Sequence, residues 1–159
     1  PQIDYCATSS QPVMLLVRPD HPLATRGTTV RVEEILGCQW VLTPTTFGIG
    51  HAIQMLEYAE KIEIRPTVVS NSLAALKRLV ASGEVASLVG EFAAYREIEQ
   101  GHLAAIMIAH PLLLGVEAKL LGKAGRPLAA PAQELLRWMR ERLPMFKPDS
   151  AEFRGHVAG

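Results

Sequence analysis

The chain has 159 residues, 48% hydrophobic and 20% charged, which suits one ordinary domain or two small lobes with a real core and argues against disorder. Its 16 Lys and Arg balance 16 Asp and Glu, so this piece lacks the positive surplus needed to hold duplex DNA phosphates by itself. The apolar runs fall far short of the ~20 residues of a membrane span, so no membrane partner is expected. Cys6 and Cys38 lie far apart without a CxxC pattern; they read as two free thiols of a reducing cytosol, and nothing resembles a zinc site or calls for a cofactor.

In chain order, residues 12–18 (Val13-Met14-Leu15-Leu16-Val17 at their centre) read as a strand that Pro19 and Pro22 stop, because proline cannot donate to a ladder. Residues 32–36 read as a short helix and 39–43 as a buried strand. Pro44-Thr45-Thr46-Phe47-Gly48-Ile49-Gly50 then turns into a helix over about 49–60, with Ile49, Ile53 and Leu56 at helical spacing. Residues 62–69 alternate as a strand, set at an edge or a break by Pro66. Ser70-Asn71-Ser72 offers N-cap oxygens to a helix at 73–82, which Gly83 closes.

Residues 85–89 read as a strand, 91–99 as a helix, and 103–108 and 112–121 as two further strands. The helix from Leu128 to Leu143 puts Leu128, Ala132, Leu135, Leu136, Met139 and Leu143 on one face, with Arg137, Arg140 and Glu141 toward solvent. Residues 146–159 read as a flexible tail. Regular alternation of strand and helix predicts an α/β domain with a mostly parallel sheet.

The chemistry concentrates at Thr43 to His51. A parallel strand feeding a helix delivers free backbone N–H groups and the positive end of a helix dipole. Gly48 and Gly50 permit close approach to the backbone around Ile49, and Thr45 and Thr46 add hydroxyls. Together they could cradle a carboxylate or another anion; the plainer reading is a Gly/Thr turn. His51, at the first turn of the helix, reads as a polar contact to a ligand or a surface group. Ser70 and Asn71 form a second polar group, with simple helix capping as the alternative. His21 reads as ordering its own turn. A triad of Ser70, His51 and Asp4 has no supporting motif, so no catalytic residue is assigned.

Several segments together resemble the effector-binding domain of LysR-type transcriptional regulators. They are Arg18-Pro19-Asp20-His21-Pro22-Leu23-Ala24 after the apolar strand, Val32-Glu33-Glu34-Ile35-Leu36 before Trp40-Val41-Leu42, Leu79-Val80-Ala81-Ser82-Gly83, Ile98-Glu99-Gln100-Gly101-His102-Leu103, and the helix after Pro127-Leu128. The resemblance covers nearly the whole chain. It implies a periplasmic-binding-protein-like α/β fold, with one complete lobe over 11–109, a remnant or crossover at 1–10 and a return segment of the other lobe at 110–145.

It also implies an N-terminal truncation. The first elements of the other lobe, and the winged helix-turn-helix through which such regulators touch DNA, would precede Pro1. The implied function is to sense a small effector, an organic acid or other anion, in the inter-lobe cleft of a cytoplasmic homo-oligomer that performs no catalysis. A solute-binding receptor of a transport system with the same fold is the alternative. Two departures stand out: Val85 occupies the position of the family's usual second glycine, and Gly90 that of its usual proline.

Overall fold

The computed structural model describes residues 3–123, 125, 127–143 and 146. In chain order the elements are β1 (Ile3–Ser10), β2 (Val13–Val17), α1 (Pro22–Arg26), β3 (Thr29–Val30), α2 (Val32–Ile35), β4 (Gln39–Leu42), α3 (Gly48–Glu60), β5 (Pro66–Val69), α4 (Leu73–Ser82), β6 (Val85–Gly90), a 3₁₀ turn (Glu91–Ala94), α5 (Tyr95–Glu99), β7 (Ala104–Ile108), α6 (Pro111–Leu114), β8 (Glu117–Lys123) and α7 (Ala130–Arg142). Two compact units result. Residues Pro12–Val116 form the larger, and β1 with the stretch from Glu117 through α7 belongs to the other.

The larger unit is a six-stranded sheet in the order β3-β7-β2-β6-β4-β5. β3 pairs with β7, β6 with β4 and β4 with β5 in parallel. The sheet is mostly parallel as expected, with one exception: β2 sits at its centre and runs antiparallel to both neighbours, with Leu15 opposite Leu88 on one side and Ile106 on the other. All five residues of β2 are buried, as a strand covered on both faces requires. Val13, Leu15 and Val17 face a core with Leu23, Ile35, Leu56 and Leu113. Leu16 faces a second core built from Val41, Leu76, Val80 and Val89. Each fully buried Leu contributes about 1.5–3 kcal/mol relative to exposure.

Local chemistry explains where elements begin. His21 caps α1, its Nδ1 accepting from Leu23 N at 3.2 Å, which is the turn-ordering role its sequence context suggests. His110 caps α6 in the same way through Leu112 N at 3.3 Å, and its Nε2 lies 3.0 Å from Glu60 Oε1 on α3. Pro111 at the first turn favours helix there, and Leu113 is fully buried. The strand expected over 112–121 is therefore wrong in its first half: α6 comes first, and β8 starts only at Glu117.

The strand expected over 62–69 is likewise limited to Pro66–Val69. Ahead of it, Ile64 N donates to Glu57 Oε1 at 2.6 Å instead of joining a ladder. β5 does lie at the sheet edge, one of the two settings Pro66 suggested. The expected helix over 91–99 divides into the 3₁₀ turn and α5.

In the smaller unit β1 and β8 pair antiparallel, Thr8 opposite Lys119 and Ser10 opposite Glu117. α7 appears where the periodicity put it, but none of its described residues is buried, and Leu135 is 57% exposed. Arg137, Arg140 and Glu141 are exposed as expected. The tail expected over 146–159 lies outside the described residues apart from Phe146.

Candidate functional site

Parallel strands put the C-terminal ends of β3, β7, β6, β4 and β5 on one edge of the larger unit's sheet. On open α/β sheets this edge is where connecting turns expose backbone donors to ligands. The turn after β4 is closed by a bond from Phe47 N to Pro44 O at 3.0 Å, and the α3 ladder begins with His51 N donating to Phe47 O at 3.2 Å. Phe47 is the N-cap residue, in an extended conformation, and among the described residues no side chain caps the start of the helix. The N–H groups of Gly48, Ile49 and Gly50 therefore precede the ladder without intrahelical acceptors. Thr45, Thr46, Gly48 and His51 are exposed beside them.

The two glycines do different jobs. A Cβ on Gly48 would meet nothing within 4 Å, whereas one on Gly50 would stand 2.5 Å from Thr45 Cα and 2.9 Å from Pro44 O. Gly50 is thus needed for the turn to fold back on the first turn of α3. The sequence reading gave both glycines to ligand approach; only Gly48 has the open space for it.

Ser70 lies next to this turn because β5 is the parallel neighbour of β4. Val69 stands opposite Leu42, and Ser70 N continues the ladder to Leu42 O at 3.0 Å. Ser70 Oγ accepts from Ser72 N at 3.1 Å, and Ser72 Oγ accepts from Ala75 N at 3.3 Å as the N-cap of α4. Both hydroxyls serve the turn, as the capping alternative had it, while Asn71 is exposed. The structure so brings Thr45, Thr46, Gly48, Ile49, Gly50 and His51 together, with Ser70 and Asn71 on the adjoining turn.

Sequence reasoning missed the surroundings. The buried Oγ1 of Thr43 has no hydrogen-bond partner among the described residues. Phe47 is 44% exposed on the turn, and Phe92, following β6, is 50% exposed with its ring against Gly90. A cavity of about 280 Å³ opens between α3 and β5, lined by Leu42, Ile53, Ile64 and Val69 among others. The spacing of Gly50, Ile53 and Glu57 on one helical face was a usable signal for that lining, but only once β5 was known to lie beneath it.

The departures from the family pattern do not break the strand they flank. Val85 opens β6 in register with Gln39, and Gly90 closes it opposite Val13. Among the described residues no three His, Cys, Asp or Glu side chains gather as a metal site, and no helix is long and apolar enough to cross a membrane. Cys38 is a free thiol whose partial burial raises its pKa, disfavouring the reactive thiolate.

A family model described as the LysR substrate binding domain matches residues 1–144. The "SDS degradation transcriptional activation protein" of Pseudomonas sp. (strain ATCC 19151) is 30% identical over 140 residues, covering 86% of this chain and 44% of that protein. The chain therefore spans less than half the length of this curated relative.

Among solved structures, the CcmR regulatory domain of Synechocystis PCC6803 in complex with 2-PG superposes with a TM-score of 0.69 at 18% identity, covering 89% of this chain and 68% of that one. The effector binding domain of QuiR in complex with shikimate gives 0.67 at 15% identity, with the same coverages of 89% and 68%. The chain belongs to the LysR substrate-binding domain family. Its α/β architecture is that family's periplasmic-binding-protein-like fold.

Proposed function

We propose that this chain is the effector-sensing part of a LysR-type transcriptional regulator and that it binds a small organic anion at the turn leading into α3. The observation that carries the reading is the uncapped start of a 13-residue helix at the strand edge. Its first N–H groups have no acceptor among the described residues, and the helix dipole adds positive potential. Exposed Thr45, Thr46 and His51 supply further polar contacts, and Ser70 and Asn71 border them. That CcmR and QuiR were solved with 2-PG and shikimate supports a small-molecule ligand.

In the whole protein, ligand binding would shift a population between arrangements of a homo-oligomer and so move separate DNA-binding heads in the cytoplasm. No catalytic step belongs to this reading. The family match favours it over a transport receptor.

A thermal-shift screen of organic acids tests the site, followed by calorimetry at two salt concentrations. Saturable stabilisation by particular anions, following RT ln(1 + [L]/Kd), is expected. Stabilisation by neutral compounds alone, or by none, would sink the reading.

A further inference from the structure

The cavity between α3 and the edge strand β5 lies wholly within the larger unit and continues from the turn just described. Thr45 and Gly50 line both. Away from that end the lining is mainly apolar: Leu42 and Val69 sit side by side in the parallel register, joined by Ile53, Ile64 and Pro66, with Gln54 the polar side chain among them. Val69 is 55% exposed at the sheet edge, so the cavity is an open groove. Its far end is acidic. Glu57 also lines it, about 10 Å along the helix from Gly50 at 1.5 Å per residue. The Glu57 carboxylate is fixed there by the bond from Ile64 N at 2.6 Å.

The groove therefore has a direction. Its end at Thr45 and Gly50 adjoins the start of α3, whose first N–H groups have no intrahelical acceptor, its middle is mainly hydrocarbon, and its Glu57 end repels negative charge. We infer that the effector is an amphipathic anion: its carboxylate or similar head lies at the N-terminus of α3 and an unbranched apolar tail runs down the groove toward Glu57. This rests on the effector site proposed above and adds the chemical class of its ligand. The polarity of the groove allows one orientation only, because a head at the other end would meet the Glu57 carboxylate.

The test is a calorimetric series on the 159-residue chain with acetate, butyrate, hexanoate and octanoate. Affinity should rise about fourfold per added methylene, the value for hydrocarbon leaving water. The slope should flatten in Val69→Glu, a substitution the exposed edge position tolerates, with a melting curve as the folding control. Octanedioate should bind more weakly than octanoate, and Glu57→Gln, which keeps an acceptor for Ile64 N, should narrow that gap. Short carboxylates binding with no dependence on length would overturn this inference and leave the effector site standing. Failure of every carboxylate in the series to bind would overturn this inference, and the organic-acid screen would then decide the effector site by itself. An unchanged slope in Val69→Glu would move the tail elsewhere. If Val69→Glu instead abolishes a self-association seen by sedimentation that octanoate does not compete with, the groove belongs to a second copy of the chain and the inference falls.

Discussion

Ser70 N donates to Leu42 O at 3.0 Å, one residue beyond the last residues of β5 and opposite the last of β4. This bond holds the two turns of the candidate site at a fixed distance, because each turn starts where its strand's ladder stops. The polar groups of residues 43–51 and 70–72, remote in sequence, become neighbours through backbone pairing alone. Substitutions in the two turns should accordingly separate into those that disturb folding and those that disturb binding.

Gly50→Ala and Gly48→Ala make the first such pair. At Gly50 the added methyl would sit 2.5 Å from the Thr45 backbone, so the turn or the start of α3 must shift. A stability loss of about 1–3 kcal/mol is expected. Gly48 has open space and no positive φ, so alanine there should leave stability unchanged or raise it by up to about 1 kcal/mol. Urea unfolding of both variants checks this. Equal losses would mean that the close packing at Gly50 is not what requires a glycine.

Ser72→Ala removes the side-chain acceptor that caps α4 through Ala75 N. The expected cost is about 0.5–2 kcal/mol, recovered by Ser72→Asp, which restores an acceptor and adds a favourable charge at a helix N-terminus. Chemical denaturation of the three proteins is sufficient. A null effect in Ser72→Ala would show that water replaces the cap at no cost.

Much of this fold was legible in the sequence because apolar periodicity and punctuation agreed. Val13–Val17, bounded by prolines, and Leu73–Ser82, between Ser72 and Gly83, were readable within a residue or two. Where the reading was silent or failed, long-range pairing or a cap decided. The reversed direction of β2 depends on partners some 70 to 90 residues away, and strand direction leaves no mark on composition. Residues 111–114 are apolar enough for a strand, but His110 and Pro111 together start a helix. At the candidate site, the turn chemistry of Thr45 to Gly50 was readable, since glycine and threonine after a buried strand have few roles. The division of labour between Gly48 and Gly50 was not, because it depends on how the turn folds over α3.

His21 gives a pH prediction. Burial, followed by the Arg18 charge, lowers its pKa, and Asp20 and Glu84 only partly oppose this. A folded-state pKa below the unfolded value of about 6.5 means the unfolded chain binds the extra proton first. The contribution of neutral His21 is thus fully present above about pH 6.5 and is lost as pH falls through the lower folded-state value. His21→Asn keeps an N-cap acceptor for Leu23 N without titrating in this range. Its unfolding free energy should fall less than the parent's between about pH 7 and 5. Parallel pH profiles in this window would argue against His21 as a source of the acid sensitivity.

Thr46→Val bears most directly on the proposed function. Thr46 is exposed at the turn into α3, and valine keeps its shape while removing the hydroxyl. If that hydroxyl donates to a bound anion, the variant should lose about 1.5–3 kcal/mol of binding free energy, or about 0.5–1.5 if the partner atom is uncharged. Stability should move by no more than about 0.5 kcal/mol, because an exposed site carries little packing. Calorimetric titration with an effector found by the organic-acid screen measures the first, and thermal unfolding without ligand measures the second. A melting shift with unaltered affinity would mean that Thr46 serves the turn alone. The anion contacts would then be sought at the exposed side chain of Asn71, since Ser70 and Ser72 are already engaged in their own turn.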